Sequence, residues 1–139
     1  MSRRPSKRSA NASLSGEWSG VFSYDLDARN SVHFSAKLTQ DGARIVGTSE
    51  EIAELGEARG AAISATLQGR RNGVRVSWLK LYDRMLKAYD EVAYEGQVNE
   101  DATEISGQWR IPGNWSGTFL MIRTSSLMMA QQRSAAERQ

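Results

Sequence analysis

The residue best placed to do chemistry in this chain is Lys80, which stands within an alternating run of large apolar residues. The run VRVSWLKLY (74–82) places Trp78, Lys80 and Tyr82 on one face of a predicted strand. A lysine on an apolar face either pairs with a suitable partner or loses its charge. Two interpretations follow. Lys80 anchors the anionic group of a ligand inside a cavity, or its stem covers an aromatic ring near one end of the fold while its ammonium reaches water.

The other side chains that could line such a cavity are aromatic and come from separate alternating runs. Tyrosine hydroxyls would join Lys80 in binding the polar group, with Arg123 as a further cation. Indole and phenyl rings would cover the apolar body of the ligand. The predicted ligand-binding residues are Tyr24, Phe34, Trp78, Lys80, Tyr82, Tyr94 and Trp109.

Catalytic and metal-binding chemistry finds little support in the rest of the sequence. The chain has no cysteine and one histidine, His33, which alternates away from the apolar face of its strand. Disulfides, thiolate sites and multi-histidine metal clusters are therefore excluded. The carboxylates Glu91 and Glu95 alternate outward, so we expect them to be solvated rather than to act as a glycosidase pair. No serine–histidine–aspartate pattern, phosphate-binding loop or dinucleotide fingerprint is present, and we predict a non-enzyme without metal or cofactor.

An acidic segment, EEIAELGEARG (50–60), allows three interpretations. Ser49 is a suitable cap for a short helical turn, and Glu50 and Glu51 are favourably placed at its start. We interpret the segment as a solvated helical face that covers one end of the fold. A lid over a cavity is the second interpretation, and a cation or partner site is the third.

The elements that would position these residues are strands, because most of the chain alternates with period two between turn residues. The runs lie too close together for the crossovers of a parallel sheet, and an eight-stranded meander with one apolar face tends to close on itself. The sequence therefore predicts an all-β fold, an eight-stranded antiparallel up-and-down β-barrel. The predicted strands are 14–24, 31–40, 43–49, 61–69, 74–82, 89–98, 104–111 and 115–123.

Three regions lie outside the clearly alternating part of the chain. Residues 83–88 form either a helical extension or a long hairpin loop, and the clean alternation on both sides favours the loop. Residues 124–139 have helix-forming composition from about Leu127, which predicts a short helix or a frayed tail. We therefore divide the chain into a disordered basic tail (1–13), the barrel domain (14–123) and this C-terminal segment.

Charge is unevenly distributed along the chain, whose formal net charge is +2. Residues 1–13 contain four basic and no acidic side chains, whereas residues 14–123 are mildly acidic. A basic tail can contact nucleic acid or an anionic surface, but composition favours a disordered, solubilising leader. No apolar run reaches the roughly 18 residues of a membrane span, and no apolar stretch of a secretory signal follows the basic start. We therefore predict a cytoplasmic location.

Two nearly identical pentapeptides, WSGVF (18–22) and WSGTF (115–119), occur near the two ends of the predicted barrel. Alternation puts the tryptophan, glycine and phenylalanine of each on the inner face. In a closed barrel the first and last strands are neighbours, so the two copies are predicted to form its seam. Small residues beside large aromatic residues suit the tapering interior of a small barrel.

The GEW at 16–18 and the arginine that ends the last strand resemble the signature of the calycin superfamily, which includes lipocalins, fatty-acid-binding proteins and avidins. In that superfamily the first-strand tryptophan packs across the barrel floor against an arginine or lysine of the last strand. The resemblance assigns these structural roles to Trp18 and Arg123. It extends over residues 14–123 and implies a calycin-like barrel of a small bacterial type.

The chain departs from each of the calycin families. It lacks the cysteine pair of typical secreted lipocalins and has no helix pair between its first two strands, unlike the fatty-acid-binding proteins. The polar and tryptophan contacts that avidins make to biotin do not line up beyond the opening strand. The resemblance therefore implies a fold and no particular ligand.

Two functional hypotheses follow. The first is a non-enzymatic barrel that binds a small apolar or amphipathic ligand, with an anionic group near Lys80. The second is a filled barrel that serves as a structural or interaction module and contacts protein or nucleic acid through its outer face, C-terminal helix or basic tail. A cavity of about 300 Å³ or more would favour the first, and an interior packed solid by tryptophans would favour the second.

Overall fold

The computed structural model places eight strands and one helix in the described part of the chain. It describes residues 12–24, 27–52, 60–83, 91–111, 113 and 115–137, and for residues 27–30 and 137 it describes the backbone alone. The strands are β1 (Gly16–Tyr24), β2 (Asp27–Asp41), β3 (Arg44–Ile52), β4 (Ala62–Asn72), β5 (Arg75–Tyr82), β6 (Val92–Val98), β7 (Glu104–Arg110) and β8 (Ser116–Arg123), and the helix is α1 (Thr124–Glu137).

The strands form a closed antiparallel barrel, because each pairs with its neighbours in sequence and β8 pairs back with β1. The predicted all-β up-and-down barrel is therefore confirmed. The period-two alternation of the sequence is visible in the burial of β5, whose residues are alternately exposed and buried from Arg75 to Leu81. Apolar side chains on the inner face lose their contact with water, which is the main favourable term in folding.

The seam between β1 and β8 brings the two pentapeptides together. Phe22 lies opposite Phe119 in the register of this pair, and Trp18 lies opposite Arg123. The inward position predicted for Trp115 is wrong, because β8 begins one residue later, and 53% of this side chain is exposed. The indole of Trp115 instead meets the ring of Tyr24 edge to face, with 5.7 Å between the ring centroids.

The helical turn predicted to begin after Ser49 is wrong in the described residues, since β3 continues to Ile52. Glu50 lies opposite Ser35 on β2 and opposite Ser64 on β4. Pairing with a strand on each side overrides the local preference of a serine and two glutamates for a helix start. The remainder of the predicted acidic face, residues 53–59, lies outside the described residues. So do residues 84–88 of the predicted loop at 83–88 and residues 89–90 of the predicted strand at 89–98.

The C-terminal helix begins directly after β8, about three residues earlier than the sequence predicts. The hydroxyl groups of Thr124, its first residue, and Ser19 on β1 lie 2.9 Å apart. Residues 128–136 are exposed, so only the first turn of α1 packs on the barrel. No helix in the described ranges has the length and apolar character needed to cross a bilayer.

Inward glycines allow large rings to fill the interior. At Gly20 on β1, a Cβ atom would lie 2.2 Å from Cζ of Phe34, well inside van der Waals contact. We expect Gly20→Ala to destabilise the barrel by about 1–3 kcal/mol, the usual cost of overpacking a core. Urea denaturation measures this, with Ser35→Ala on the outer face of β2 as the matched control. Equal midpoints for the two variants would contradict the prediction.

Candidate functional site

The centre of the candidate site is a buried ion pair between Lys80 on β5 and Glu51 on β3. The Lys80 ammonium donates a hydrogen bond to Glu51 Oε1 over 2.7 Å, and the Tyr82 hydroxyl donates to the same oxygen over 3.0 Å. Only 2% of the Lys80 side chain and 4% of the Glu51 side chain are exposed. The interpretation in which the Lys80 ammonium reaches water is therefore wrong, and a carboxylate balances its charge inside the barrel.

Aromatic rings surround the rest of the ammonium. The nitrogen of Lys80 lies 4.9 Å from the centroid of the Tyr82 ring, 5.0 Å from that of Phe22 and 5.3 Å from that of Phe34. The Tyr94 ring lies 5.9 Å away. Faces of aromatic rings attract a cation, and more strongly where water is excluded. Four rings and one carboxylate thus hold a single positive charge in the interior.

The hydrogen-bonding capacity of this cluster is only partly used. An ammonium has three N–H donors, and Lys80 donates a hydrogen bond only to Glu51 among the described residues. Among the described residues, the buried hydroxyl of Ser49, two residues before Glu51, also has no hydrogen-bond partner. Buried donors without acceptors cost free energy, so the site favours a group rich in acceptors.

Burial shifts the pKa values of Lys80 and Tyr94 in opposite directions. It lowers the pKa of Lys80 below its ordinary value, and the neighbouring Glu51 opposes this effect through its charge and its hydrogen bond. Burial raises the pKa of Tyr94, and the negative charge of Glu51 raises it further. Tyr94 therefore stays protonated at neutral pH and can donate a hydrogen bond.

All seven predicted ligand-binding residues face the interior, and ring contacts link most of them. The Trp78 and Tyr94 rings are stacked, with centroids 5.9 Å apart, and the Tyr24 and Trp109 rings meet edge to face at 5.2 Å. The indole of Trp109 also donates a hydrogen bond to the carbonyl of Ser23 over 3.1 Å. The structure thus brings the predicted residues into one cluster, whose role in binding stays a prediction.

This cluster lies towards one end of the barrel. Tyr24, Glu51 and Tyr82 stand at or near the carboxyl ends of β1, β3 and β5, and Trp109 is the penultimate residue of β7. In an antiparallel meander, alternate strands end at the same rim, so these four residues share a rim. The side chains of Tyr24 and Tyr82 are partly exposed there.

Trp18 and Arg123 close the opposite end. The Arg123 guanidinium lies 4.7 Å from the centroid of the Trp18 ring, the contact expected from the resemblance. Arg123 also donates hydrogen bonds to the backbone carbonyls of Ser13, Ser15 and Ala102. The Trp18 indole donates to the carbonyl of the fully buried Leu14 over 2.9 Å. The segment before β1 is thereby fixed across the barrel floor.

Arg71 is a second floor residue that the sequence did not single out. It occupies an inward position near the end of β4 and is 5% exposed. Its guanidinium donates hydrogen bonds to the backbone carbonyls of Ala12 and Gly73 and to the side chain of Gln40. Residues 1–11 of the predicted tail lie outside the described residues, whereas Ala12 and Ser13 contact the floor arginines.

Two grooves on the outer surface of the barrel are large enough for a ligand. One, of about 510 Å³, runs over β1 to β4 and includes Glu17, Lys37 and Glu50. Another, of about 850 Å³, runs over β4 to β7. Within the described ranges, no three histidine, aspartate or glutamate side chains lie together to hold a metal ion. The interior cavity predicted from the sequence stays a prediction.

Comparison with known proteins supports the barrel fold but does not identify a family or a function. No protein-family model matches the chain. No curated protein sequence matches it either. Among solved structures, the chain is similar to a redesigned β-barrel, with a TM-score of 0.61 at 12% sequence identity, over 84% of this chain and 96% of that chain. At this identity the likeness shows a shared barrel fold alone.

Proposed function

We propose that this protein is a non-enzymatic, calycin-like barrel that binds one small amphipathic molecule at the rim nearest Lys80. The apolar body of the ligand packs against the interior rings, and its polar head is a hydrogen-bond acceptor, such as a carboxylate. The observation that carries the proposal is the buried ammonium of Lys80, which has one hydrogen-bond acceptor among the described residues. Eight-stranded barrels are of a size that holds one small ligand.

The electrostatics of the cluster favour an acceptor head group over a second cation. Lys80 and Tyr94 have donors to offer, whereas Glu51 Oε1 already accepts hydrogen bonds from Lys80 and Tyr82. An added ammonium would also meet the existing positive charge in a medium of low dielectric, where like charges repel strongly. A ligand carboxylate gains hydrogen bonds from Lys80, whose ammonium lies 5.9 Å from the centroid of the Tyr94 ring.

Tryptophan emission tests the proposal, because Trp78 and Trp109 belong to the cluster. Dodecanoate, its methyl ester and dodecylamine share one chain and differ in the head group. We expect dodecanoate to change the emission at the lowest concentration and dodecylamine at the highest. Lys80→Met combined with Glu51→Leu removes the ion pair without leaving a lone charge, and should weaken dodecanoate binding by tenfold or more, as expected for hydrogen bonds to a charged group.

Lys37→Met is the matched control, because Lys37 is exposed on the outer face of β2. It should leave dodecanoate binding unchanged. Native mass spectrometry of protein purified from its host looks for a co-purified small molecule, without assuming its identity. The proposal fails if no probe changes the emission of the folded protein and no small molecule accompanies it. It also fails if dodecylamine binds as tightly as dodecanoate.

A further inference from the structure

The outer face of the barrel carries three arginines on adjacent strands. Arg44 on β3 lies directly opposite Arg70 on β4. Arg70 pairs in turn with Ser77 on β5, which places Arg75, two residues away on the same face, diagonally next to it. All three side chains are exposed. We call Arg44, Arg70 and Arg75 the arginine patch.

Acidic residues flank the arginine patch, but among the described residues none of them forms an ion pair with it. In the part of the chain that the structure describes, no carboxylate lies within ion-pair distance of any of the three guanidinium groups. Asp41, opposite Arg44, and Glu95, opposite Ser77, are the acidic residues nearest in register. Like charges directly opposite each other on neighbouring strands destabilise a sheet. The pairing of Arg44 with Arg70 thus costs stability, which binding of an anion would recover.

A groove adjoins the patch and is suited to a flexible polyanion. The groove of about 850 Å³ over β4 to β7 is lined by Arg70 and Arg75 at one side. It continues along polar side chains that include Gln97 and Gln108, and one acidic residue, Glu95, also lines it. No aromatic side chain lines it. Its surface therefore offers positive charge and hydrogen bonds, without rings on which bases could stack.

We propose that the arginine patch is a binding site for single-stranded nucleic acid, contacted through its phosphates and independently of base sequence. Guanidinium groups bind phosphate oxygens in a bidentate manner. A single strand can follow the curved barrel surface, whereas a duplex has a persistence length of about 150 base pairs and stays straight over this distance. The site is separate from the barrel interior and does not depend on the ligand proposed above.

Salt dependence of binding tests this proposal quantitatively. The full chain is titrated against a fluorescein-labelled 20-nucleotide single strand between about 50 and 200 mM NaCl, a range over which phosphate contacts weaken markedly. Each phosphate contact to a single strand contributes about −0.7 to the slope of log K against log salt. Arg44→Gln, Arg70→Gln and Arg75→Gln combined should therefore reduce the magnitude of the slope by about 2.

The matched control removes the same charge elsewhere, through Lys37→Gln, Arg110→Gln and Arg133→Gln combined. We expect it to change the slope much less than the patch variant does. An equal change in the two variants would show diffuse attraction and overturn the proposal. Absence of binding at 50 mM NaCl would also overturn it, as would equal or tighter binding of the matching duplex, or binding to phosphatidylserine vesicles but not to the single strand.

Discussion

Glu51→Leu is expected to destabilise the barrel by about 3–5 kcal/mol, the usual cost of leaving one member of a buried ion pair without its partner. Lys80 is 2% exposed and donates its hydrogen bond to Glu51, so the variant leaves an ammonium among aromatic rings without a counter-charge. Lys80→Met combined with Glu51→Leu removes both charges. That double variant should recover most of the loss, because apolar replacements of a buried pair are often neutral or stabilising.

Urea denaturation gives the free energy of unfolding for each variant, and Glu50→Gln provides the matched control. Glu50 is adjacent to Glu51 and points outward, so its substitution should change stability by less than about 0.5 kcal/mol. If the single and double variants at Lys80 and Glu51 lose equal stability, the two side chains do not act as a pair. The observed contact would then carry no energetic coupling.

Stability of the Glu51→Leu variant should also rise with pH over the range just below the ordinary lysine pKa of about 10.4. Burial lowers the pKa of Lys80, and the variant removes the Glu51 charge that opposes this effect. At a pH between the lowered pKa of Lys80 in the folded variant and its ordinary pKa in the unfolded chain, the unfolded chain holds one more proton than the folded chain. Raising the pH then favours the folded state. If the variant's loss in free energy of unfolding, relative to the unsubstituted protein, stays constant over this pH range, Lys80 is not an unpaired, buried ammonium in the variant.

Trp18→Ala is the second substitution with a large expected effect, a loss of about 3–5 kcal/mol as for other buried tryptophans. Trp18 is fully buried, donates a hydrogen bond to Leu14 and lies under the guanidinium of Arg123. Its truncation leaves a cavity at the barrel floor and removes the ring that this cation covers. The segment before β1 should lose order at the same time.

Trp115→Ala is the matched control, because it removes the same side chain from the other copy of the pentapeptide. Since 53% of Trp115 is exposed, its truncation should cost about 1 kcal/mol or less, through the lost contact with Tyr24. Urea midpoints measure both variants. If Trp18→Ala does not fold, Trp18→Phe should fold with a reduced midpoint. Equal losses at the two tryptophans would contradict the different roles that the structure gives them.

Alternation along the chain was enough to predict the barrel, because burial on one face imposes a period of two on every strand. It also placed Lys80, Tyr82 and Tyr94 on the inner face. It did not reveal Glu51, because a glutamate at an inward position resembles an outward residue of a helix start. The available signal was the need of an inward lysine for an opposite charge, combined with the alternation of Ile45, Gly47 and Ser49 up to Glu51.

The ends of elements were predicted less well than their interiors. Trp115 was placed inside because it shares a motif with Trp18, yet its strand begins one residue later. Arg71 was missed because a basic residue beside the Asn72-Gly73 turn suggests solvent exposure. Two of its partners, the carbonyl of Ala12 and the side chain of Gln40, are distant in sequence. Contacts of this kind depend on closure of the barrel and leave no local pattern.

The pairing of β1 with β8 has a consequence for how the protein is made. The seam joins positions about a hundred residues apart, as the contact between Ser19 and Thr124 illustrates. During synthesis, β1 to β7 emerge as a sheet with two unpaired edges, which are prone to association with other chains. Closure must wait until β8 has left the ribosome. We expect folding dominated by such distant contacts to be slow, in the range of milliseconds to seconds.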